Sequence, residues 1–238
     1  MTEATQKAPG QPVAERETRS QWRDVWDQFT KHKGALIGGI LFFAIVFAVM
    51  LGPSLWPYEA NEINIRLRNQ NPSWAHPFGT DQLGRDTFAR MIAGGQTSIT
   101  VGLAAMMLSL MLGSLIGVLS GYYRRLDGVL MRFTDLFLSL PLLPLLLVMM
   151  LLFREPLSEA YGPERGMFVL IVVSIGITSW MPTARIVRGD VLALKEREFI
   201  LAARSIGTSD LRIILRHILP NVLSPILVSA TLGIANAI

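Results

Sequence analysis

Five long apolar runs, separated by polar and charged segments, dominate the hydropathy pattern of the chain. An α-helix needs about 20 consecutive apolar residues to cross the hydrocarbon core of a bilayer, so each run predicts a membrane span. The predicted spans are 34–52, about 97–120, about 133–153, about 167–187, and 220 to the last residue. The chain is still apolar at Ile238, so we expect this last span to be incomplete. The pattern predicts an all-α membrane protein with five visible spans and six or so in all.

The polar segments between the runs differ in character. Residues 1–18 are polar and contain Gly and Pro, which predicts a disordered tail. Residues 19–33 place aromatic and charged side chains on opposite faces of a helix, as in helices that lie in the headgroup layer. The loop 53–95 is long enough to be functional or separately folded. The remaining 96–238 is predicted to form the membrane core, interrupted by a charged connection at 188–219.

Composition and charge agree with a membrane location. The mean hydropathy is +0.42, and only 17% of the residues are charged. With the N-terminus inside, sixteen of the 22 Lys and Arg residues fall on the inner side, so the positive-inside rule predicts a cytoplasmic N-terminus and a cytoplasmic 188–219 connection. The pI of 9.8 does not indicate nucleic-acid binding, because the basic residues form no single patch. The absence of cysteine excludes disulfides and thiolate metal sites.

The second predicted span carries a small residue at every fourth position, so that one helix face is small throughout. In lipid such a stripe allows a second helix backbone to approach closely. A pore-lining face is the alternative, but small residues offer a substrate few polar groups. We therefore predict helix packing for Ser109, Gly113, Gly117 and Gly121, which follow Ala105 in the stripe.

The charged stretch 196–220 predicts two short helices between membrane spans. Gly207 interrupts the first helix, and 208–210 (Thr-Ser-Asp) is a suitable N-cap for the second. The second helix is expected to carry Leu211, Ile214, Leu215 and Ile218 on one side. Pro220 is then expected to restart a helix that enters the membrane. Two short helices in this position could pass motion from outside the bilayer into it.

This stretch resembles the cytoplasmic coupling loop of ABC importer permeases, whose pattern is E-A-A, three residues, G, nine residues, I-x-L-P. Leu201 and His217 stand where the pattern has Glu and Ile. The neighbouring text, REFILAARSIG and RHILPN, is similar to the peptide and nickel branch. The resemblance implies that the loop docks on an ATPase subunit. The residues it assigns to this contact are Glu198, Ala202, Ala203, Arg204, Gly207, Leu219 and Pro220.

A second resemblance covers HPFGTDQLGRD, residues 76–86, and the segment WRDVWDQFTKHKGALIGG near the N-terminus. Both resemble C-type subunits of dipeptide, oligopeptide and nickel permeases. The glycines permit tight turns and the charged side chains can form a network, so we favour a self-bracing loop over direct substrate contact. The extracytoplasmic residues singled out are Gly79, Thr80, Asp81, Gly84, Arg85 and Asp86.

The resemblance implies the bundle of a type I ABC importer in a bacterial inner membrane. The implied partners are a homologous second permease subunit, two ATPase subunits, an extracytoplasmic substrate-binding protein and membrane lipid. ATP and Mg are expected on the ATPase subunits, and no cofactor is expected in this chain. The cargo stays open between dipeptide, oligopeptide, nickel chelate and glutathione.

The sequence offers little for other chemistry. It contains no G-x4-G-K-S/T phosphate loop, and His32, His76 and His217 are too widely spaced to indicate a metal site. No predicted span contains a His that could activate a serine, so no catalytic residue is predicted. Asp135 lies close to a span interior, where we favour helix capping or pairing with Arg132 over proton coupling. An ion-coupled secondary transporter is the main alternative; an intramembrane enzyme and a scaffold are further ones.

Overall fold

The computed structural model describes residues 30–237, with side chains through 233. The chain divides into two compact units, Met1–Pro57 and Tyr58–Ile238. The predicted tail at 1–18 lies outside the described residues, as does all but the end of the predicted amphipathic helix at 19–33. The described part of the first unit is helix α1, Lys33–Leu55, which begins after the N-cap His32 and is apolar on all sides. Such a helix suits a lipid environment.

The second unit starts with a loop that contains one 3-10 turn, Ile65–Leu67, and is otherwise helical. No strand occurs in residues 30–237 apart from a single β-bridge between Thr80 and Asp86. The helices that follow are α2 (Thr87–Tyr122), α3 (Arg124–Ser139), α4 (Leu142–Tyr161), α5 (Pro163–Leu194), α6 (Glu198–Ser205), α7 (Asp210–Ile213), a π-helical turn (Ile214–Ile218) and α8 (Leu219–Ala237).

Four helical stretches of the described chain are long and apolar enough to cross a membrane. They are α1, α2, α5 and the continuous stretch Asp210–Gly233. At 1.5 Å per residue, the 36-residue α2 is about 54 Å long and the 32-residue α5 about 48 Å. Both exceed the hydrocarbon thickness of about 30 Å, so their ends extend beyond it. The predicted all-α membrane architecture is confirmed.

The sequence predicts a span at about 133–153 that is kinked at Pro141 and Pro144, and the structure divides this region between two helices, α3 and α4. The two helices meet at 88° and form either a broken span or a re-entrant segment. Pro141 is the N-cap of α4, and Leu140 before it has an extended backbone, with φ −73° and ψ 133°. A residue that precedes proline is driven out of the helical region, which explains the break. Pro144 falls in the first turn of α4, where the missing N–H costs little.

The small-residue stripe of α2 faces α5 along its length. A Cβ built on Gly113 would lie 2.7 Å from the Trp180 carbonyl oxygen, and one on Gly117 would lie 2.7 Å from the Ala184 carbonyl oxygen. Gly121 meets Val191 in the same way, at 2.7 Å. Ser109, on the same face, is fully buried. The two backbones are therefore close enough to exclude a methyl group at three successive positions, as in small-xxx-small packing.

An α-helix does begin beside Pro220, at Leu219, but it continues the preceding helical turns and does not follow a break. The chain stays helical from Asp210 to Ala237, and the π-helical turn ends at Ile218, two residues before Pro220. A proline within a helix clashes with the carbonyl four residues earlier and removes one hydrogen bond. A π-helical turn widens the backbone at such a point, so the helix continues into the membrane without a break.

Candidate coupling site at the turn between α6 and α7

The turn between α6 and α7 is a glycine-terminated helix end. Gly207 has φ +79°, its N–H donates to the Arg204 carbonyl at 3.0 Å, and the Thr208 N–H donates to the Ala203 carbonyl at 3.1 Å. These two hydrogen bonds define a Schellman motif, in which glycine supplies the left-handed residue. The tight turn at Gly207 is thus specified by the sequence, as predicted. Ser209 precedes α7 without a capping hydrogen bond from its side chain.

One side of this helical pair is anchored in the protein. Ile200 and Ala203 of α6 and Ile213 of α7 are buried in a hydrophobic cluster with Val187 and Val191 of α5. The cluster also holds Val118 and Tyr122 of α2 and continues along the next helix with Ile214, Ile218, Val222 and Ile226. The ends of α2, α5 and α8 therefore resist any displacement of α6. A displacement that does occur is transmitted to these helix ends.

The opposite side of the pair is exposed and apolar. Ile206, next to the turn, is 82% exposed, and Leu201, Leu211 and Leu215 are exposed as well. The apolar side predicted for the second helix is therefore only partly buried. Ile214 and Ile218 are buried as expected, but Leu211 and Leu215 are not, because the buried face passes through Ile213. The residues Glu198, Ala202 and Arg204 are also exposed, whereas Leu219 is partly buried.

A polar contact joins three helices beneath this surface. The Tyr122 hydroxyl at the end of α2 donates to Asp210 Oδ1 at the start of α7, at 2.6 Å. The guanidinium of Arg204 on α6 lies over the Tyr122 ring, 5.6 Å from its centroid. The interaction with the Tyr122 hydroxyl raises the pKa of Arg204 above its ordinary value, so this group stays charged. Sequence patterns could not reveal a contact between residues 88 positions apart.

Ion pairs fasten α3 to α5 on the same side of the molecule. Arg188 binds Asp127 through two nitrogen atoms, at 2.5 and 2.7 Å. Asp135 binds Arg185 at 2.5 Å. Pairing of Asp135 was expected, but with Arg132 on its own helix, and the partner comes instead from a neighbouring helix. The ion pair between Asp135 and Arg185 thus joins α3 to α5.

The loop 58–86 braces itself through Asp81. This carboxylate accepts hydrogen bonds from the amides of Leu83 (2.9 Å) and Arg85 (3.0 Å), and from the side chains of Arg85 (2.8 Å) and Arg90 (2.6 Å). Desolvation alone would raise the pKa of Asp81, but these hydrogen bonds outweigh it and lower the pKa to about 2. Asp81 is therefore ionised at neutral pH.

Two glycines let the segments of this loop approach one another. A Cβ on Gly79 would lie 2.4 Å from the Gln70 carbonyl oxygen, and one on Gly84 would overlap the Asn64 carbonyl. Both have positive φ values, +69° and +74°. Between these contacts the Thr80 hydroxyl donates to the Leu67 carbonyl. These contacts favour the self-bracing interpretation of the loop.

Asp86 has a role that the sequence analysis missed. It was expected to join the Asp81 network, but its Oδ1 lies 2.9 Å from Nδ1 of the buried His76, and its Oδ2 accepts the Ala89 N–H at 2.8 Å. The carboxylate thus caps α2 and ties the loop to it. An Asp directly before a helix is a recognisable N-cap signal, but nothing local points to His76, ten residues earlier. Within residues 30–237, no cluster of three or more His, Asp or Glu side chains could hold a metal ion.

Comparison with known proteins agrees with this architecture. Residues 109–238 match the family described as binding-protein-dependent transport system inner membrane component. Residues 20–72 match the N-terminal transmembrane domain of oligopeptide transport permease C.

The chain also resembles curated proteins along most of its length. It is 36% identical to the oligopeptide transport system permease protein OppC of Bacillus subtilis over 220 residues, which cover 92% of this chain and 68% of that protein. It is 39% identical over 209 residues to a Brucella abortus protein provisionally named peptide transport system permease protein, covering 87% of this chain and 67% of the relative. The chain therefore belongs to the family of binding-protein-dependent transport system inner membrane components, the permease subunits of ABC importers, in its peptide branch.

Proposed function

We propose that this chain is a translocation subunit of a peptide importer, and that α6 and the turn at Gly207 receive the movement of a partner ATPase. One observation carries the proposal: the pair α6–α7 is anchored on one side by Ile200, Ala203 and Ile213 and exposes an apolar side around Ile206. Exposed apolar side chains in a polar surround are typical of a protein interface. The peptide cargo is suggested by the names of the related permeases.

The route of the movement follows the packing. A push on α6 bears on Val187 and Val191 of α5 and on Tyr122 of α2, because all share one buried cluster. It also reaches the unbroken helix that starts at Asp210 and enters the bilayer. A ligand or partner shifts such a bundle only when it binds two conformations with different affinity. We infer that ATP-driven closure of the partner supplies that difference.

The proposed assembly contains two ATPase subunits, a homologous second permease subunit and an extracytoplasmic binding protein. ATP and Mg would bind to the ATPase subunits, and this chain would contribute no catalytic residue. We further propose that the N-terminus and the 188–219 connection are cytoplasmic, which puts the loop 58–86 on the side of the binding protein. The ion-coupled alternative loses support, because Asp135 is paired with Arg185.

The test is a pair of identical substitutions at two exposed isoleucines. Ile206→Asp changes the proposed docking surface, and Ile63→Asp makes the same change in the extracytoplasmic loop, where Ile63 is also exposed. The complete transporter is reconstituted in vesicles, and ATP hydrolysis and peptide uptake are measured with the binding protein present. Removing an apolar anchor of an interface costs about 2 kcal/mol or more, so Ile206→Asp should lower stimulated ATPase activity at least tenfold. Ile63→Asp should leave it within twofold.

Two results would overturn the proposal. Equal activity of Ile206→Asp and Ile63→Asp would place the ATPase contact elsewhere. Uptake driven by a proton gradient without ATP would favour the ion-coupled class. Replacing peptide by a nickel chelate or glutathione in the same assay tests the cargo separately.

A further inference from the structure

A cavity of about 420 Å³ lies between α2, α5 and α8. Of the ten described residues that line it, none is charged. The polar ones are Thr178, Ser179, Thr183 and Ser229. Mostly apolar pockets of about 300–1,000 Å³ with a few polar groups are typical of small-molecule binding sites. The cavity therefore has the size and the lining of a site for an uncharged ligand that forms hydrogen bonds.

The cavity lies at the depth of the hydrocarbon core. Thr178 is close to the midpoint of α5, and Met106, which lines the cavity from the other side, is close to the midpoint of α2. Because α5 is about 48 Å long and the core about 30 Å thick, the midpoint of a fully crossing α5 lies inside the core. Polar groups at this depth are costly unless another group hydrogen-bonds to them.

Two polar groups of the cavity lack their ordinary partners. Pro182 has no N–H, so the Thr178 carbonyl loses the hydrogen bond that residue 182 would donate in an uninterrupted helix. The Oγ of Ser229 is shielded from solvent and forms no hydrogen bond with any residue of the described chain. The Thr178 hydroxyl, in contrast, donates to the Ser174 carbonyl at 2.8 Å. The cavity therefore offers a ligand one acceptor, the Thr178 carbonyl, and one donor, the Ser229 hydroxyl.

The cavity adjoins the buried cluster that anchors the coupling site. Thr183 is one helical turn from Val187 on α5, and Ser229 is about one turn from Ile226 on α8. Val187 and Ile226 both belong to that cluster. A displacement of α6 that passes through the cluster would therefore change the separation of the cavity walls.

We propose that this cavity binds the main chain of the peptide cargo, an inference that rests on the proposed function. A peptide N–H donates to the Thr178 carbonyl, and the Ser229 hydroxyl donates to a peptide carbonyl. Every peptide unit except that of proline has one donor and one acceptor whatever its side chain, so the site accepts peptides of different sequence. The uncharged walls favour a neutral segment of the cargo over its charged termini, because a buried charge needs a partner.

The first experiment locates the peptide by protection of a cysteine. Ser179→Cys places a thiol on the cavity wall, and Ser224→Cys is the control, because Ser224 lies on α8 outside the cavity. The complete transporter, with partner subunits free of cysteine, is purified without ATP and treated with a small methanethiosulfonate. The neutral peptide acetyl-trialanine amide, at saturation, should slow the reaction of Ser179→Cys at least tenfold. The reaction of Ser224→Cys should stay within twofold.

The second experiment removes the donor of the cavity. Ser229→Ala is combined with Ser179→Cys, and Ser224→Ala serves as the matched control. The measured quantity is the peptide concentration that gives half of the maximal protection. One hydrogen bond between neutral groups is worth about twofold to tenfold in binding, so Ser229→Ala should raise this concentration by such a factor. Ser224→Ala should leave it unchanged, and the unfolding temperatures of both variants should match that of the parent.

The third experiment tests the acceptor. Methylation of the amide nitrogens of the peptide removes its donors, and should weaken binding by about the same factor. Pro182→Ala restores an N–H at position 182, which gives the Thr178 carbonyl its helical partner. In this variant the loss caused by N-methylation should largely disappear. Pro225→Ala makes the same change in α8 at a position outside the cavity, and should preserve the loss.

Each of three results contradicts the peptide site. If Ser179→Cys does not react, another protein segment fills the cavity. If it reacts and the peptide does not slow the reaction, the cavity holds water only. If Ser229→Ala and Ser224→Ala bind the peptide equally, the Ser229 hydroxyl does not contact it. The measurements contain no ATP and no transport step, so they can fail while Ile206→Asp still lowers ATPase activity, which separates this inference from the proposed function.

Discussion

Tyr122 is the residue on which three helices converge, because its hydroxyl reaches Asp210 at 2.6 Å and its ring lies under Arg204. Tyr122→Phe keeps the ring and removes only the hydroxyl. A hydrogen bond to a charged group contributes about 1.5–3 kcal/mol, so the variant should lower the free energy of unfolding by about that amount. Thermal unfolding of the purified protein measures the loss.

Tyr123→Phe is the matched control. Tyr123 contacts the ring of Tyr122 edge-on at 5.0 Å, and within the described chain its hydroxyl forms no hydrogen bond. Removing that hydroxyl should leave the unfolding temperature unchanged. Equal shifts in the two variants would show that the bond to Asp210 does not stabilise the junction.

Asp81 makes the stability of the loop 58–86 depend on pH. Its pKa is about 2 in the folded loop and 3.8 without the surrounding contacts. A carboxyl with a lowered pKa stabilises the folded state above its unfolded pKa, and this contribution is lost as the pH falls through the folded pKa. Amide hydrogen exchange at Leu83 and Arg85 should therefore be slow at pH 4 and above, after correction for its intrinsic pH dependence, and lose its protection between about pH 4 and pH 2.

The Asp81→Asn variant should show weak protection throughout this range, with no such transition. Glu62→Gln, the same change at an exposed position of the loop, should behave like the wild type. A transition that persists in Asp81→Asn would assign the pH dependence to another group.

At the scale of elements, the close contact between α2 and α5 depends on glycines, which have no side chain. Gly117→Ala would bring a methyl group within 2.7 Å of the Ala184 carbonyl oxygen and of the Val187 Cβ. Overpacking of this kind costs about 1–3 kcal/mol, so the unfolding temperature and the yield of folded protein should fall. Gly189→Ala is the control, because a Cβ there meets nothing within 4 Å. Alanine in an open helical position should stabilise α5 by up to about 1 kcal/mol.

Gly117→Ala tests packing against the alternative that this face lines a pore. If the face lined a pore, the alanine would find open space and stability would be unchanged, while transport would fall. If Gly189→Ala also lost stability, the loss in Gly117→Ala could not be assigned to the contact between α2 and α5.

The elements show where sequence patterns are informative and where they are not. The small-residue stripe and the glycine turn at Gly207 could be predicted, because each follows from a local rule on residue size or backbone conformation. The sequence could not distinguish the break at Pro141 from a mild kink, because a proline inside an apolar run is compatible with both. The passage of the helix through Pro220 depends on a π-helical turn, which no residue pattern specified. The ion-pair partners could not be predicted from sequence either, because the placement of the helices decides which charges meet. The pair of Asp135 with Arg185 is the main example.

At the scale of the whole molecule, the sequence was sufficient to predict the membrane class and the family. Long apolar runs indicate the membrane class, and extended motifs indicate the family. The orientation in the bilayer is still a prediction, which the distribution of Lys and Arg supports. The 238 residues contain no cysteine. Single cysteines can therefore be introduced and labelled without background, which makes the orientation directly measurable.

Asn61→Cys lies in the loop 58–86 and Ser205→Cys at the end of α6, and both positions are exposed. In intact cells a membrane-impermeant maleimide should label Asn61→Cys and spare Ser205→Cys, and in inside-out vesicles the pattern should reverse. The coupling mechanism requires this result, because an ATPase that uses cellular ATP can reach α6 only from the cytoplasm. Labelling of Ser205→Cys from outside would invert the bundle, and docking of α6 on an ATPase would then be impossible. The segments between the two sites are α2, α3–α4 and α5. Labelling of both sites from the same side would mean that these segments together cross the membrane an even number of times.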